Sequence, residues 1–197
     1  MIHPHTILRF INEEIGHGVF ATRPIPVGTI TWAQDPLDRE LSPEELEQLA
    51  PVCRPVVETY TYRNRKGNYV LCWDLARYLN HSFRPNCMAT AYGFEVAVKN
   101  IRAGEQLTND YGFLNIVAPF RATDEGTRRK TVYPDDLMRY HQRWDQTLGK
   151  VLGRIVLKEQ PLRELLNDNI WQHLHEIADG KVSPESIKRN YYQPNKG

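Results

Sequence analysis

Through the first two thirds of the chain, apolar residues come in short runs separated by turn residues, which is the pattern of brief strands. Val19–Thr22 follows a Gly-x-Gly, and Thr29–Ala33 follows the turn Pro26-Val27-Gly28. Val56–Tyr62 is dense in β-branched and aromatic residues and reads as a strand. Arg63–Gly67 is then a turn, and Tyr69–Trp73 resumes the extended pattern. Phe94-Glu95-Val96-Ala97-Val98 alternates apolar and polar, which predicts a half-buried strand. His3 and His5 fall at a strand start. One helix interrupts this stretch: Ser42-Pro43-Glu44-Glu45 carries a capping box with proline in the first turn.

The last third changes period. Leu137, Tyr140, Trp144, Leu148 and Val151 recur every three or four residues after Pro134-Asp135-Asp136 and predict a helix with one apolar face. Leu162, Leu165, Leu166, Ile170, Leu174 and Ile177 predict a second helix, stopped by Gly180. The polar stretch Arg121–Thr131 reads as a loop between the two parts, and Tyr191–Gly197 as a frayed tail. The class expected is therefore mostly β with α, with helices packed on a sheet-rich domain.

A chain of 197 residues can bury a substantial core. Its formal net charge of +1 leaves no basic footprint for nucleic acid. No stretch approaches the roughly 18 apolar residues of a membrane span, and the amino terminus lacks a signal-peptide pattern, so a soluble cytoplasmic protein is expected. Cys53, Cys72 and Cys87 form no Cys-x-x-Cys pair and read as buried reduced thiols. His173 and His175 stand two apart on a helix and face different ways, and no His-Glu-x-x-His occurs, so no catalytic metal is expected.

Three segments concentrate groups that can carry chemistry. Gly16-His17-Gly18 lets the backbone turn tightly and approach a ligand. Arg77-Tyr78-Leu79-Asn80-His81-Ser82-Phe83-Arg84-Pro85-Asn86 is dense in local hydrogen-bonding groups. Gly104-Glu105-Gln106-Leu107-Thr108-Asn109-Asp110-Tyr111-Gly112 ends on a tyrosine beside a glycine. Each segment alone is compatible with an ordinary turn. In this order, with the Ile25-Pro26-Val27-Gly28 turn between the first two, they resemble the SET-domain lysine methyltransferases. That family runs Gly-x-Gly, a strand, Ile-x-x-Gly, Arg-Phe-Ile-Asn-His-Ser-Cys-x-Pro-Asn and then Gly-Glu-Glu-Leu-Thr-x-Asp-Tyr. The resemblance covers roughly residues 8–120 and is closest to small, bacterial-type members.

The resemblance implies a SET domain over 1–120, made of several small sheets with a pseudoknot, and a polar loop and C-terminal helical extension over 121–197. It implies S-adenosylmethionine as cofactor, with Gly16, His17 and Gly18 at its methionine end. Asn80 and the backbone of His81 would hold its other groups, including the adenine, and Tyr111 would point its hydroxyl at the transferring methyl. Tyr60, Tyr62, Trp73, Tyr78 and Asn109 fall in segments that resemble the walls of a substrate channel. The implied partner is a protein presenting a lysine, with histone-like basic tails among the candidates. The stretch Asp35–Glu47, with six acids and one base, either attracts such a tail or is a solvated face. A homodimer through the last helix stays open.

Methyl transfer from a sulfonium to an amine is an in-line displacement, so alignment supplies much of the rate. The lysine must arrive neutral although its free pKa is about 10.4. Desolvation and a neighbouring sulfonium both favour the neutral amine, so a strong general base is not required, and the sequence offers no obvious one. Two departures stand out. Phe83 replaces the cysteine that in many relatives joins three later cysteines around zinc, and no cysteine follows Cys87, so that site cannot be built. The helical third is expected to close the channel instead. Asn109 stands where many relatives carry Phe or Tyr, which predicts room for more than one methyl. The competing readings are a catalytically inactive SET-fold module that binds a peptide or protein partner, and a methyltransferase for a non-protein amine.

Overall fold

The computed structural model describes residues 1–193. Strand β1 (Thr6–Asn12) pairs antiparallel with β2 (Gly16–Ala21), from Thr6 opposite Ala21 to Asn12 opposite Gly16. After β3 (Ile30–Ala33) and β4 (Arg39–Leu41) comes helix α1 (Pro43–Gln48). Its cap is the one expected: the Ser42 side chain accepts from Glu45 N–H and the Glu45 carboxylate from Ser42 N–H.

The segment expected as a strand over Val56–Tyr62 is instead helix α2 (Arg54–Tyr60), and extended structure begins only at β5 (Thr61–Arg63). Pro55 sits in the first turn, where its fixed φ favours a helix. Thr59 and Thr61 return their hydroxyls to the carbonyls four residues back, and only Val57 is buried. The β-branched run finds no strand partner, because both neighbours of β6 are already taken by β4 and β5. Cys53, just before this helix, is exposed, whereas Cys72 and Cys87 are buried as expected.

Strands β6 (Tyr69–Leu71), β7 (Asn80–His81), β8 (Cys87–Ala89), β9 (Phe94–Ala97) and β10 (Thr108–Asn109) follow. The antiparallel sheets β4-β6-β5 and β3-β9-β8 and a parallel pair β7-β10 result. A hairpin of β11 (Phe120–Arg121) and β12 (Thr131–Val132) encloses the polar stretch.

Helix α3 (Asp136–Gly149) buries Leu137, Trp144 and Leu148 on the expected face. The second stripe becomes helical only at α4 (Asp168–Ala178), where Asn167 caps the helix by accepting from Ile170 N–H. Leu162 and Leu165 precede it on an irregular turn, because Asn167 is extended and breaks the helical run. Gly180, at φ +70°, ends α4 as expected.

The sheet β3-β9-β8 lies between two cores, which corrects the half-buried reading of β9: all four of its residues are buried. Alternate side chains point to opposite faces. Phe94 and Val96 join Leu137, Trp144, Leu148 and Leu152 of the helical third. Ala97 joins Val19, Trp32, Cys72 and Leu79 on the other side. Of the C-terminal tail, Tyr192 lies against the Arg63 guanidinium at 4.6 Å and its N–H donates to Asn115, so it is held in place. Residues 194–197 of that tail lie outside the described residues. No helix among the described residues is long and apolar enough to cross a membrane.

Candidate active site

The second and third motif segments run side by side because short side chains stitch their backbones together. Thr108 and Asn109 pair with Asn80 and His81, and Ser82 N–H donates to the Asn109 carbonyl at 2.8 Å. Asn86 is buried, and its amide serves both ways: Nδ2 donates to the Gln106 carbonyl and Oδ1 accepts from Thr108 N–H. An asparagine can do both at once, which a carboxylate cannot.

Tyr111 opens a 3-10 turn capped by the Asp110 carboxylate, which accepts from Gly112 N–H. The 79–81 segment holds it at both ends. Its N–H donates to His81 Nδ1 at 3.1 Å and its hydroxyl to the Leu79 carbonyl at 3.0 Å. Burial pushes the hydroxyl up to about 12, so it stays protonated and is a donor, not a base. Burial and the Arg129 charge lower His81 to about 4. The imidazole is therefore neutral, with its proton on Nε2, since Nδ1 accepts from Tyr111. The 3.8 Å approach of Nδ1 to Asp110 is accordingly no ion pair. Rings of Phe83, Tyr111 and Phe120 surround the imidazole at 4.3, 5.3 and 5.8 Å.

The first motif joins through Asn80, whose Nδ2 donates to the His17 carbonyl at 2.9 Å. Gly18 lets neighbouring side chains approach the backbone closely. A Cβ would stand 2.5 Å from Gln106 Nε2 and 2.9 Å from Asn80 Nδ2. Gly16 serves differently, taking φ +77° as β2 begins. Gly16, His17, Gly18, Asn80, His81 and Tyr111 thus share one neighbourhood.

A cavity of about 1070 Å³ lies against Tyr111. Tyr60, Tyr62 and Asn109 line it, as do Trp32, Glu95 and Phe113, which sequence reasoning missed. Tyr78 is outside the lining and packs on Tyr60 and His17 at 5.2 and 6.2 Å. Trp73 is outside it too: its ring is 42% exposed and its N–H donates to Asp35. The helical third contributes Ile170, Glu185 and Arg189 to the cavity wall. In the acidic stretch, Glu40 accepts from the Asn64 and Asn68 amides and Glu45 caps α1, so these carboxylates are engaged by the fold.

Arg129 was also invisible in the sequence. It comes from the polar stretch and its guanidinium donates to both Asp110 and Asp136, carboxylates that are almost fully buried. The rings of Phe83 and Tyr140 face it at 4.8 and 4.9 Å. Phe83, at the place of the family's zinc-binding cysteine, packs instead on this cation and on His81. Among the described residues no group of three His, Cys, Asp or Glu could hold a metal ion.

Several short sheets that bring a half-buried tyrosine together with an Asn-His pair and a Gly-x-Gly hairpin are the arrangement expected of a SET domain. Residues 16–112, roughly half of the chain, match the SET-domain family model, and the chain is a SET-domain protein. Members of this family generally are lysine methyltransferases that use S-adenosylmethionine. No curated protein sequence matches the chain. Among solved structures that match is one of a candidate histone methyltransferase from Plasmodium falciparum. It is 20% identical, with 56% of this chain and 95% of that one covered and a TM-score of 0.40.

Proposed function

We propose that this chain transfers a methyl group to the side-chain amine of a lysine in a protein substrate. The observation that carries the reading is the position of Tyr111. It is half-buried with its hydroxyl desolvated and protonated, and it stands by the Gly16–Gly18 and Asn80 cluster and lines a cavity of about 1070 Å³, a volume that accommodates a lysine side chain.

Bound S-adenosylmethionine would supply an electrophilic methyl on a positive sulfonium. The residues present fit such a donor. The Asn80 amide, the His17 and Leu79 carbonyls and the Tyr111 hydroxyl are neutral polar groups, and the oxygens suit a positive centre. The backbone of Gly16–Gly18 and the Asn80 side chain would hold it. Tyr111, fixed at both its N–H and its hydroxyl, keeps an oxygen in one place while the amine is aligned, so that orientation does not have to be found during the reaction. Tyr60, Tyr62 and Trp32 line the cavity, and aromatic rings there would favour a cationic methylammonium chain and exclude water. Asn109, smaller than a ring and lining the same cavity, extends the reading to products with more than one methyl.

Calorimetric titration with S-adenosylmethionine tests this on the wild type and on Asn80→Ala. Saturable binding that the substitution weakens is expected, followed by labelled methyl transfer to lysine peptides that Tyr111→Phe abolishes. Absence of binding both alone and with a peptide library would replace the enzyme by a peptide-binding module. Only monomethyl product by mass spectrometry, even after long incubation, would overturn the Asn109 part.

A further inference from the structure

The turn between β5 and β6 carries charge that the rest of the cavity wall does not balance. Asn64 builds this turn. Its N–H donates to the Asn68 carbonyl, its own carbonyl accepts from Gly67 N–H, and its Oδ1 accepts from the N–H groups of Lys66 and Asn68. Gly67 takes φ +88°, and a Cβ there would stand 2.6 Å from the Tyr192 ring. The turn is thus held by its own backbone and by the C-terminal segment, and it places Arg63, Arg65 and Lys66 along the cavity wall. Arg65 and Lys66 are exposed and Arg63 is half-buried. Among the described residues none of the three is in an ion pair.

The carboxylates of the same wall keep different company. Glu40 accepts from the Asn68 and Asn64 amides, and these bonds, with a smaller contribution from the Lys66 charge, hold its carboxyl below the usual range. Glu185 is paired with Arg189. Glu95 is buried, and burial raises its carboxyl to about 7. Only Glu58 is exposed on the wall with no ion pair or side-chain hydrogen bond among the described residues. Arg77 adds a further cation, its guanidinium held by the Trp73 and Asp74 carbonyls. The charge left unmatched within the protein is therefore mainly positive.

Resting on the methyltransferase reading, we propose that this turn selects the protein substrate: the lysine that enters the cavity is flanked by aspartates or glutamates, and their carboxylates meet Arg65 and Lys66. The two side chains suit that task in different ways. Arginine offers a planar fork of donors that matches a carboxylate, and lysine a compact charge on a flexible stem. A histone-like basic tail would instead bring like charge against both of them. The acid-rich stretch Asp35–Glu47 does not reverse this, because Glu40 is its one carboxylate in the cavity wall and two amides already engage it.

The test uses lysine peptides that differ only in their flanks, with paired aspartates, paired serines or paired arginines on each side. Binding is read by fluorescence anisotropy in low salt with S-adenosylmethionine present. Exposed ion pairs are individually weak, so the wild type should bind the aspartate peptide about tenfold more tightly than the arginine peptide, with the serine peptide between them. At about 1 M salt, where the screening length is about 3 Å, that order should collapse without any substitution. Arg65→Glu combined with Lys66→Glu should put the arginine peptide ahead, and the main-chain bonds of the turn remain available in that variant. Equal affinities in low salt, a wild-type preference for the arginine peptide, an order unchanged in the variant, or no peptide binding would overturn the proposal. Calorimetric titration with S-adenosylmethionine separates the two readings. Cofactor binding and methyl transfer that ignore the flanks defeat the flank rule alone. Charge-dependent peptide binding without cofactor binding leaves the docking turn and defeats the methyltransferase.

Discussion

The two sides of Tyr111 are built around buried carboxylates in opposite company. Behind it, Asp110 shares the Arg129 guanidinium with Asp136, and aromatic rings enclose the cation. In front of it, Glu95 faces the cavity with one amide on one oxygen. Burial raises both carboxyls. At Asp110 the Arg129 charge and hydrogen bonds pull back against it, whereas at Glu95 only Asn109 does. A carboxylate closed on a protein cation keeps a charged partner inside the fold; one met only by a neutral amide bears the cost of its burial as a raised pKa.

The largest effect that can break this contrast is removal of the cation. Arg129→Met leaves Asp110 and Asp136 buried without their partner and should destabilise the protein by about 3–5 kcal/mol in urea unfolding at neutral pH. A loss below about 1 kcal/mol would mean that the clamp contributes no more than a surface pair.

Next in size is the pH dependence of Glu95. Its folded pKa, about 7, lies above the ordinary 4.5, so the stability it contributes is present below pH 4.5 and lost as pH rises through 7. Glu95→Gln does not titrate. The stability of the wild type relative to this variant should therefore fall by about 3 kcal/mol between pH 4.5 and pH 8. His3 and His81, both lowered to about 4, act with the opposite sign, their contribution being lost as pH falls from 6.5 towards 4. They are present in both proteins and cancel in the difference. A flat difference across that range would show that Glu95 is no more desolvated than a surface carboxylate.

The smallest effect sharpens the clamp side. A Cβ on Gly112 would meet the Arg129 guanidinium and stand 3.0 Å from the Trp144 ring. Because two aspartates hold that guanidinium, it cannot swing aside freely, and Gly112→Ala should cost about 1–3 kcal/mol by the same unfolding assay. In the Arg129→Met background most of that cost should disappear, as expected for two residues in contact.

Legibility in the sequence followed the range of the interactions. Gly16-His17-Gly18, Asn80-His81 and Asn109-Asp110-Tyr111 could be singled out because their residue types act on nearby backbone, and their order matched a known family. The apolar face of α3 was legible because its spacing is a property of one helix. The β-branched run ahead of β5 says strand only where a neighbouring strand has a free edge to pair with, and β6 is already paired on both sides. Arg129 looked like one more charge in a polar loop, since its partner Asp110 is 19 residues away. Trp73 was counted among channel residues for its type and position, and packing turned it outward to Asp35.

The sequence by itself determined the family motifs, the tyrosine on which they converge and the helical faces, all of which rest on local backbone geometry or a single element's period. Only the tertiary structure decided which charges are buried and which of them are paired. Alternation along β9 shows that Glu95 and Phe94 point to opposite faces, but not what covers each face. That depends on the elements packed on the two sides of the sheet, and here both sides are covered, leaving a carboxylate inside the protein with one oxygen free.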